Sequence, residues 1–487
     1  MATHLIDRES ELYTLNQQLA GSSSRRKSAF IMLYGRRRVG KSTLLEAWAE
    51  GSGREFTFWK SDKDLAEVQR RDFYAKFMAE PRTQVPRFES WTSLFDQMAA
   101  VIGDKPHILI IDEVTYAAQS DDNFYAALQH AWDKHFQNSA VTLVICGSHV
   151  RAMNDLFREG SPLFGRFTMP IYLEPMSFAQ LRKFFPKWSA EERVAAYAMV
   201  GGIPAYFEWL EPNLSLQDNL RTKVIAKPGP FLVEGRFLIY DALEQPAAHI
   251  SVLKAIGEGR HAFDEIRLAS EGASNKLSTY LDRLRELRLV DRVVSALVPP
   301  SKRKASKSSR WMLADPFLRF YYRFIAPALD ADVYDPVELT QSIWTQLRGF
   351  VGRTAFEEIC REWVRQSATR PGVLPMRPVV VGRHWSRTVE ADVIAINWEE
   401  KSLLIGECKW DDDLVTREQA RKLVEETKPK VMADLQRQLS NPLTEISQWQ
   451  VHLAYFARRG YTAEARRYLA TESVLAVDLK RLDTEIV

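Results

Sequence analysis

Cysteine is scarce in this 487-residue chain: Cys146, Cys360 and Cys408 are an odd, widely spaced set of three. That excludes a disulfide framework and any paired-cysteine metal motif, and it suits a reducing compartment with all three as core thiols. Excess charge of one sign is also lacking. A formal net charge of +3 is too small to argue for nucleic acid, so any such case rests on where the charge sits. No apolar run reaches the roughly 20 residues of a membrane span, and the opening MATHLIDRESELYTL has no basic-then-apolar leader pattern. Together these absences lead to the expectation of a cytoplasmic protein with no membrane partner. What remains is ordinary globular material, 46% hydrophobic and 26% charged, too long for one core.

The strongest local pattern is FIMLYGRRRVGKSTLLEAWAE, Phe30 to Glu50: an apolar strand-like run, a loop, then a helical period. Gly35 to Ser42 fits the phosphate-loop spacing GxxxxGK[ST] in its required context. Gly35 and Gly40 let backbone N–H groups wrap phosphates, and the following helix adds its N-terminal dipole. Lys41 would reach the terminal phosphates of ATP, and the Ser42 hydroxyl, with Thr43 beside it, would sit at Mg²⁺. HILIIDEVTYA supplies a second strand ending in Asp112, a carboxylate for the metal, and Glu113, which would polarise the attacking water. A third strand, VTLVICGS, ends in Ser148, placed to sense the γ-phosphate.

These segments together resemble the prokaryotic AAA+/STAND-like P-loop ATPases whose loop reads GRRRVGK. DRESEL, Asp7 to Leu12, matches that group's entry motif, and PLFGRFTMPIYLEPMSF and GGIPAYF match its later phrases. The resemblance implies Arg166 as a sensing or trans-acting arginine and Pro204 as an adenine-side contact. An arginine acting in trans requires a homo-oligomer.

From about Ala247 short helical patterns follow one another, and Leu277, Leu281, Leu284 and Leu287 recur at helical spacing before a strand. That order predicts a winged helix. Its wing would carry Lys302, Arg303, Lys304, Lys307 and Arg310, a basic tip suited to DNA phosphates; solubility or protein docking is the competing reading. LADPFLRFYYRFIAP places Phe317, Phe320, Tyr321 and Phe324 on a packed helix face. The same phrase resembles the one preceding domain of unknown function 234 in this ATPase group.

In the last third, GFVGRTAFEEICREWV reads as an amphipathic helix, and GRHWSRTVEADVIAINWEEKSLLIGECKW as two strands. Asp392 lies on the first and Glu407-Cys408-Lys409 on the second, so Glu407 and Lys409 share a face. The pattern resembles the PD-(D/E)XK nucleases. It implies Asp392, Glu407 and, by the Phe-Glu match, Glu357 as ligands to Mg²⁺, or Mn²⁺ in its place, with Lys409 acting on the water. The alternative is an ion pair on an edge strand.

The expected architecture is α/β multidomain: a P-loop NTPase parallel sheet with helical lid over 1–240, a winged helix over 241–325, a connecting helical segment over 326–345, and a C-terminal α/β restriction-endonuclease-like domain over 346–487. The function this implies is an ATPase coupled to DNA binding and Mg²⁺-dependent cleavage. The alternatives are a STAND-like nucleotide-controlled switch without cleavage, and a transcription regulator using only the winged helix.

Overall fold

A computed structural model of the chain describes residues 6–19, 28–243, 245–270, 272–306, 308–439 and 445–486. The contacts divide it into two compact units, Met1–Pro175 with Ile203–Ala205, and Met176–Gly202 with Tyr206–Val487. The helices expected as the lid of the ATPase therefore group with the second unit, save for those three residues. Among the described residues no helix is long and apolar enough to cross a membrane.

In the first unit, strands β1 (Ala29–Tyr34), β2 (Glu55–Lys60), β3 (His107–Asp112), β4 (Val141–Gly147) and β5 (Met169–Tyr172) pair in parallel in the order β2-β3-β4-β1-β5. β3 and β4 are buried along their whole length and β1 nearly so. This explains their unbroken apolar runs, because a parallel strand covered on both faces has no solvent side to carry polar residues. One face is filled by the helices Trp91–Ile102 and Phe124–Ala131, whose Trp91, Phe95, Met98, Phe124 and Leu128 join Trp59 and Phe73 in a single aromatic-rich core. Ser90 and Ser93 start the first of these helices with a reciprocal capping box. The order has a functional consequence: β4 lies between the strand that feeds the phosphate loop and the strand that ends in Asp112.

In the second unit, helices Pro246–Gly257, Phe263–Ala269 and Leu277–Glu286 precede an antiparallel hairpin of β6 (Val290–Val293) and β7 (Arg310–Leu313), the predicted winged-helix order. Leu277, Leu281 and Leu284 are buried as their spacing requires; Leu287 is half-buried. The predicted wing differs from expectation. After β6 the chain is anchored, since the Ala296 N–H donates to Arg383 O at 2.9 Å and Ala296 and Leu297 enter the C-terminal core. A short helix, Pro300–Arg303, follows. Lys302 and Lys304 stand exposed, whereas the Arg310 guanidinium pairs with Glu390 at 3.1 Å and lies over the Trp385 ring. Lys307 lies outside the described residues. The aromatic face behaves as predicted: Phe317, Phe320, Tyr321 and Phe324 are all buried.

The C-terminal segment has three strands where two were expected over residues 382–410: β8 (Val380–Trp385), β9 (Glu390–Asn397) and β10 (Ser402–Lys409) form an antiparallel meander. Ser386 makes the missed turn, its hydroxyl accepting from the N–H groups of Thr388 and Val389. β11 (Gln450–Ala457) and β12 (Val474–Asp478) then add in parallel, giving a mixed sheet in the order β12-β11-β10-β9-β8.

Candidate functional site

The loop from β1 into the helix Lys41–Gly51 is shaped by two glycines. Gly40 has φ +95°, a left-handed conformation costly to any residue with a Cβ, and a Cβ at Gly35 would lie 2.6 Å from Leu173 O. Arg8 secures the loop from below: buried, it donates to Val39 O at 3.1 Å and Glu174 O at 3.0 Å, and pairs with Glu11 at 2.9 Å. Lys41 is buried at the helix start, and its ammonium donates to Gly35 O and Arg36 O at 3.0 Å each. Thr43 follows, half-buried, on the same turn.

Ser42 Oγ donates to Asp112 Oδ2 at 2.7 Å, so the hydroxyl and carboxylate that the sequence assigned to one metal are neighbours. Asp112 is fully buried and its other oxygen accepts from the Glu113 N–H at 2.9 Å. Burial and the neighbouring Asp112 push the Cys146 thiol well above its ordinary range. Glu113 itself has φ +50°, a left-handed backbone that costs about 1 kcal/mol or more in a non-glycine residue. The distortion turns its carboxylate to β4, where it accepts from Ser148 Oγ at 2.7 Å and from Ser148 N at 3.2 Å. The intervening strand is what brings Ser148 there.

These residues fit a nucleoside triphosphate with Mg²⁺. A hydroxyl and a carboxylate form the hard oxygen set that Mg²⁺ prefers, and the loop presents N–H groups and an ammonium to phosphate. Arg166 is not part of this cluster. Its guanidinium pairs with Asp133, at 2.9, 3.1 and 2.7 Å, and donates to Pro162 O and Phe164 O. Pro204 opens the helix Pro204–Glu208, within the one stretch beyond Pro175 that groups with the first unit.

A second cluster lies in the C-terminal sheet. The antiparallel register ends with Gly406 paired to Val393, so Asp392 and Glu407 are the next residue on each strand, and Lys409 shares the Glu407 side of its strand. Asp392 Oδ2 accepts from the Cys408 N–H at 2.9 Å. Burial raises the Asp392 carboxyl; burial and the facing Asp392 raise Glu407 to about 8, with Lys409 opposing. Glu357 begins the helix Glu357–Ser367 and is raised to about 7 by burial and Asp392.

The expected three-carboxylate metal shell is not assembled. Glu357 accepts through Oε2 from Arg383 at 2.7 Å and from Arg361 at 3.3 Å, so guanidiniums hold one oxygen of the carboxylate that the motif assigned to the ion. Arg361 also donates to Asp392 O at 2.8 Å. Among the described residues, ligand atoms close to within 4.8 Å of one another only in a different trio, Asp96, His130 and His135. Sequence reasoning missed both arginines. Arg361 stands four residues after Glu357 on one helix and was findable by spacing; Arg383 lies on the strand that was not separated from its neighbour.

Comparison with known proteins matches residues 5–210 to an ATPase domain predominantly from Archaea, and residues 321–423 to a family of archaeal and bacterial proteins of unknown function. An uncharacterized protein of Methanocaldococcus jannaschii is 31% identical over 412 residues, 84% of this chain and 88% of that protein. Among solved structures, the Walker-type ATPase of Pyrococcus abyssi superposes with a TM-score of 0.46 at 18% identity, covering 66% of this chain and 96% of that one. The ORC2 protein of Aeropyrum pernix gives 0.46 at 15% identity, covering 70% and 95%.

Proposed function

The chain belongs to the family that joins an ATPase domain found predominantly in Archaea to a domain of unknown function 234, and on that premise we propose an ATP-hydrolysing switch whose nucleotide state sets what the second unit binds. The observation that carries this is the cluster of Lys41, Ser42, Asp112, Glu113 and Ser148 at the ends of three adjacent parallel strands.

The chemistry follows from the contacts. Lys41 now satisfies its ammonium on two loop carbonyls, and phosphate oxygens would replace them at a site already built for the cation. Ser42 and Asp112 would hold Mg²⁺, which when bound neutralises charge across the phosphates. Glu113 is the one carboxylate there positioned to orient a water and accept its proton, and Ser148 holds it by two hydrogen bonds. Hydrolysis requires Glu113 to share that carboxylate with water, so Ser148 is the contact through which phosphate and hydrolysis are coupled. Steady-state ATP hydrolysis tests this. Lys41→Ala should abolish binding and turnover, and Glu113→Gln should keep binding and lose turnover; turnover unaffected by both would end the reading.

DNA is the partner assigned to the second unit, on the winged-helix order and the exposed Lys302 and Lys304. A nuclease reading has one specific observation in its favour. Asp392 and Glu407 lie close enough on adjacent strands to raise the Glu407 carboxyl, with Lys409 opposing, in a sheet whose helix, meander and parallel additions suit a PD-(D/E)XK arrangement. A divalent cation would relieve that carboxylate pair, and Glu357, held by Arg361 and Arg383 through Oε2, would join through Oε1. Incubating the protein with duplex and single-stranded DNA and Mg²⁺ or Mn²⁺, beside Lys409→Ala, separates the two. Cleavage lost in the variant supports the nuclease; no cleavage with ATP hydrolysis intact leaves the switch.

A further inference from the structure

The trio of Asp96, His130 and His135 lies on the surface of the first unit and has no part in the nucleotide cluster. Asp96 comes from the helix Trp91–Ile102 and His130 from the helix Phe124–Ala131. His135 belongs to a π turn, Trp132–Phe136, that continues the second helix. In an uninterrupted α-helix, residues five apart would point about 140° away from each other. The π turn closes from residue to residue five on, with Gln137 N–H donating to Trp132 O at 2.9 Å, and so swings His135 back towards His130. The imidazoles end 6.2 Å apart, centre to centre, and nearly perpendicular.

Both Nε2 atoms converge on one oxygen, Asp96 Oδ1, at 3.3 Å from His130 and 2.6 Å from His135. His130 Nε2 is sealed from solvent yet has no hydrogen-bond partner among the described residues. The 2.6 Å contact to His135 is a hydrogen bond; the 3.3 Å one to His130 leaves a lone pair or a proton unused. A tetrahedral centre with ligand bonds of about 2.1 Å needs its donor atoms about 3.4 Å apart. The His130 to Asp96 spacing already meets that figure, and the His135 contact needs to open by under about 1 Å. Lys134 Nζ, 3.8 Å from the same oxygen, is on a long, mostly exposed side chain that can turn away.

We propose that Asp96, His130 and His135 form a binding site for a borderline divalent transition-metal ion, zinc above all, with a fourth position left to water. Two imidazole nitrogens select such an ion over Mg²⁺ and Ca²⁺, which want oxygen. The ion joins the helices Trp91–Ile102 and Phe124–Ala131, and it fixes the π turn that also carries Asp133, the partner of Arg166. Its role is that of a staple for this corner of the ATPase unit, independent of the nucleotide reading.

The test uses the full chain, stripped with chelator and titrated with Zn²⁺ in excess Mg²⁺, which saturates the oxygen-only sites. Binding of Co²⁺ followed by its visible d–d absorption reports tetrahedral geometry. One equivalent should bind, and thermal stability should rise with it. His130→Asn and His135→Gln should each weaken binding by more than the roughly 10- to 100-fold that loss of an outer-shell partner costs, while unchanged far-UV circular dichroism and a cooperative thermal transition show that the variants are folded. Zn²⁺ binding unchanged in the double variant, absent from the parent, or lost instead in Asp392→Asn would overturn the proposal.

Discussion

Replacing Arg8 by Met removes a buried cation from beneath the phosphate loop while keeping most of its apolar stem. The guanidinium serves Val39 O and Glu174 O and pairs with Glu11, whose own carboxylate is largely covered. Two carbonyls then lose a charged donor in a site closed to water. At about 1.5–3 kcal/mol for a hydrogen bond to a charged group, and with Glu11 able to turn outward, the loss should total about 3–5 kcal/mol. Arg8→Lys should recover less than half of it, because Nη2 serves both carbonyls while Nη1 holds Glu11, and one ammonium cannot reproduce that two-nitrogen span. Urea unfolding of the first transition gives the stability, and titration with a fluorescent ATP analogue gives the affinity, which should fall because Val39 is a loop residue. A change under about 0.5 kcal/mol, the level of an ordinary surface substitution, together with unaltered nucleotide affinity, would refute the idea that Arg8 braces the loop.

Other consequences are equally direct. Ser148→Ala should keep ATP binding and change turnover by about tenfold or more, read in single-turnover hydrolysis; equal rates would remove Ser148 from the mechanism. Glu407 and Glu357 sit at about 8 and about 7 in the folded chain. The folded state therefore keeps protons that the unfolded chain releases from the ordinary carboxylate range upward, and stability should fall as pH rises through that window to 8. Unfolding midpoints across that range should show the fall, and Glu407→Gln should reduce it; a flat or rising parent profile would contradict the burial argument. Phe317→Ala should cost about 3–5 kcal/mol, since this fully buried ring packs on Tyr206, Phe231 and Tyr321, and chemical denaturation measures it.

The nucleotide cluster was legible because each of its demands falls on a residue type with few substitutes. A left-handed loop position needs Gly40, a parallel strand covered on both faces needs an unbroken apolar run, and the strand ends then have to carry Asp112, Glu113 and Ser148. Asp392 and Glu407 were legible for the same reason, as charges where a buried strand avoids them. What escaped depends on partners distant in sequence. Nothing local to Arg166 announces Asp133, nothing local to Glu357 announces Arg383, and the wing's Arg310 finds Glu390 only once the segment after β6 has joined the C-terminal core. The π turn that brings His135 to His130 is a change in helical winding, and residue spacing on an ordinary helix hides it.

The most direct test of the switch is the affinity of a fluorescent duplex oligonucleotide, followed by anisotropy, for Glu113→Gln holding ATP and for the parent chain holding ADP. A nucleotide-set switch gives at least a tenfold difference between the two, about 1.4 kcal/mol of coupling, and loses that difference in Lys41→Ala. Equal affinity in both nucleotide states would contradict it.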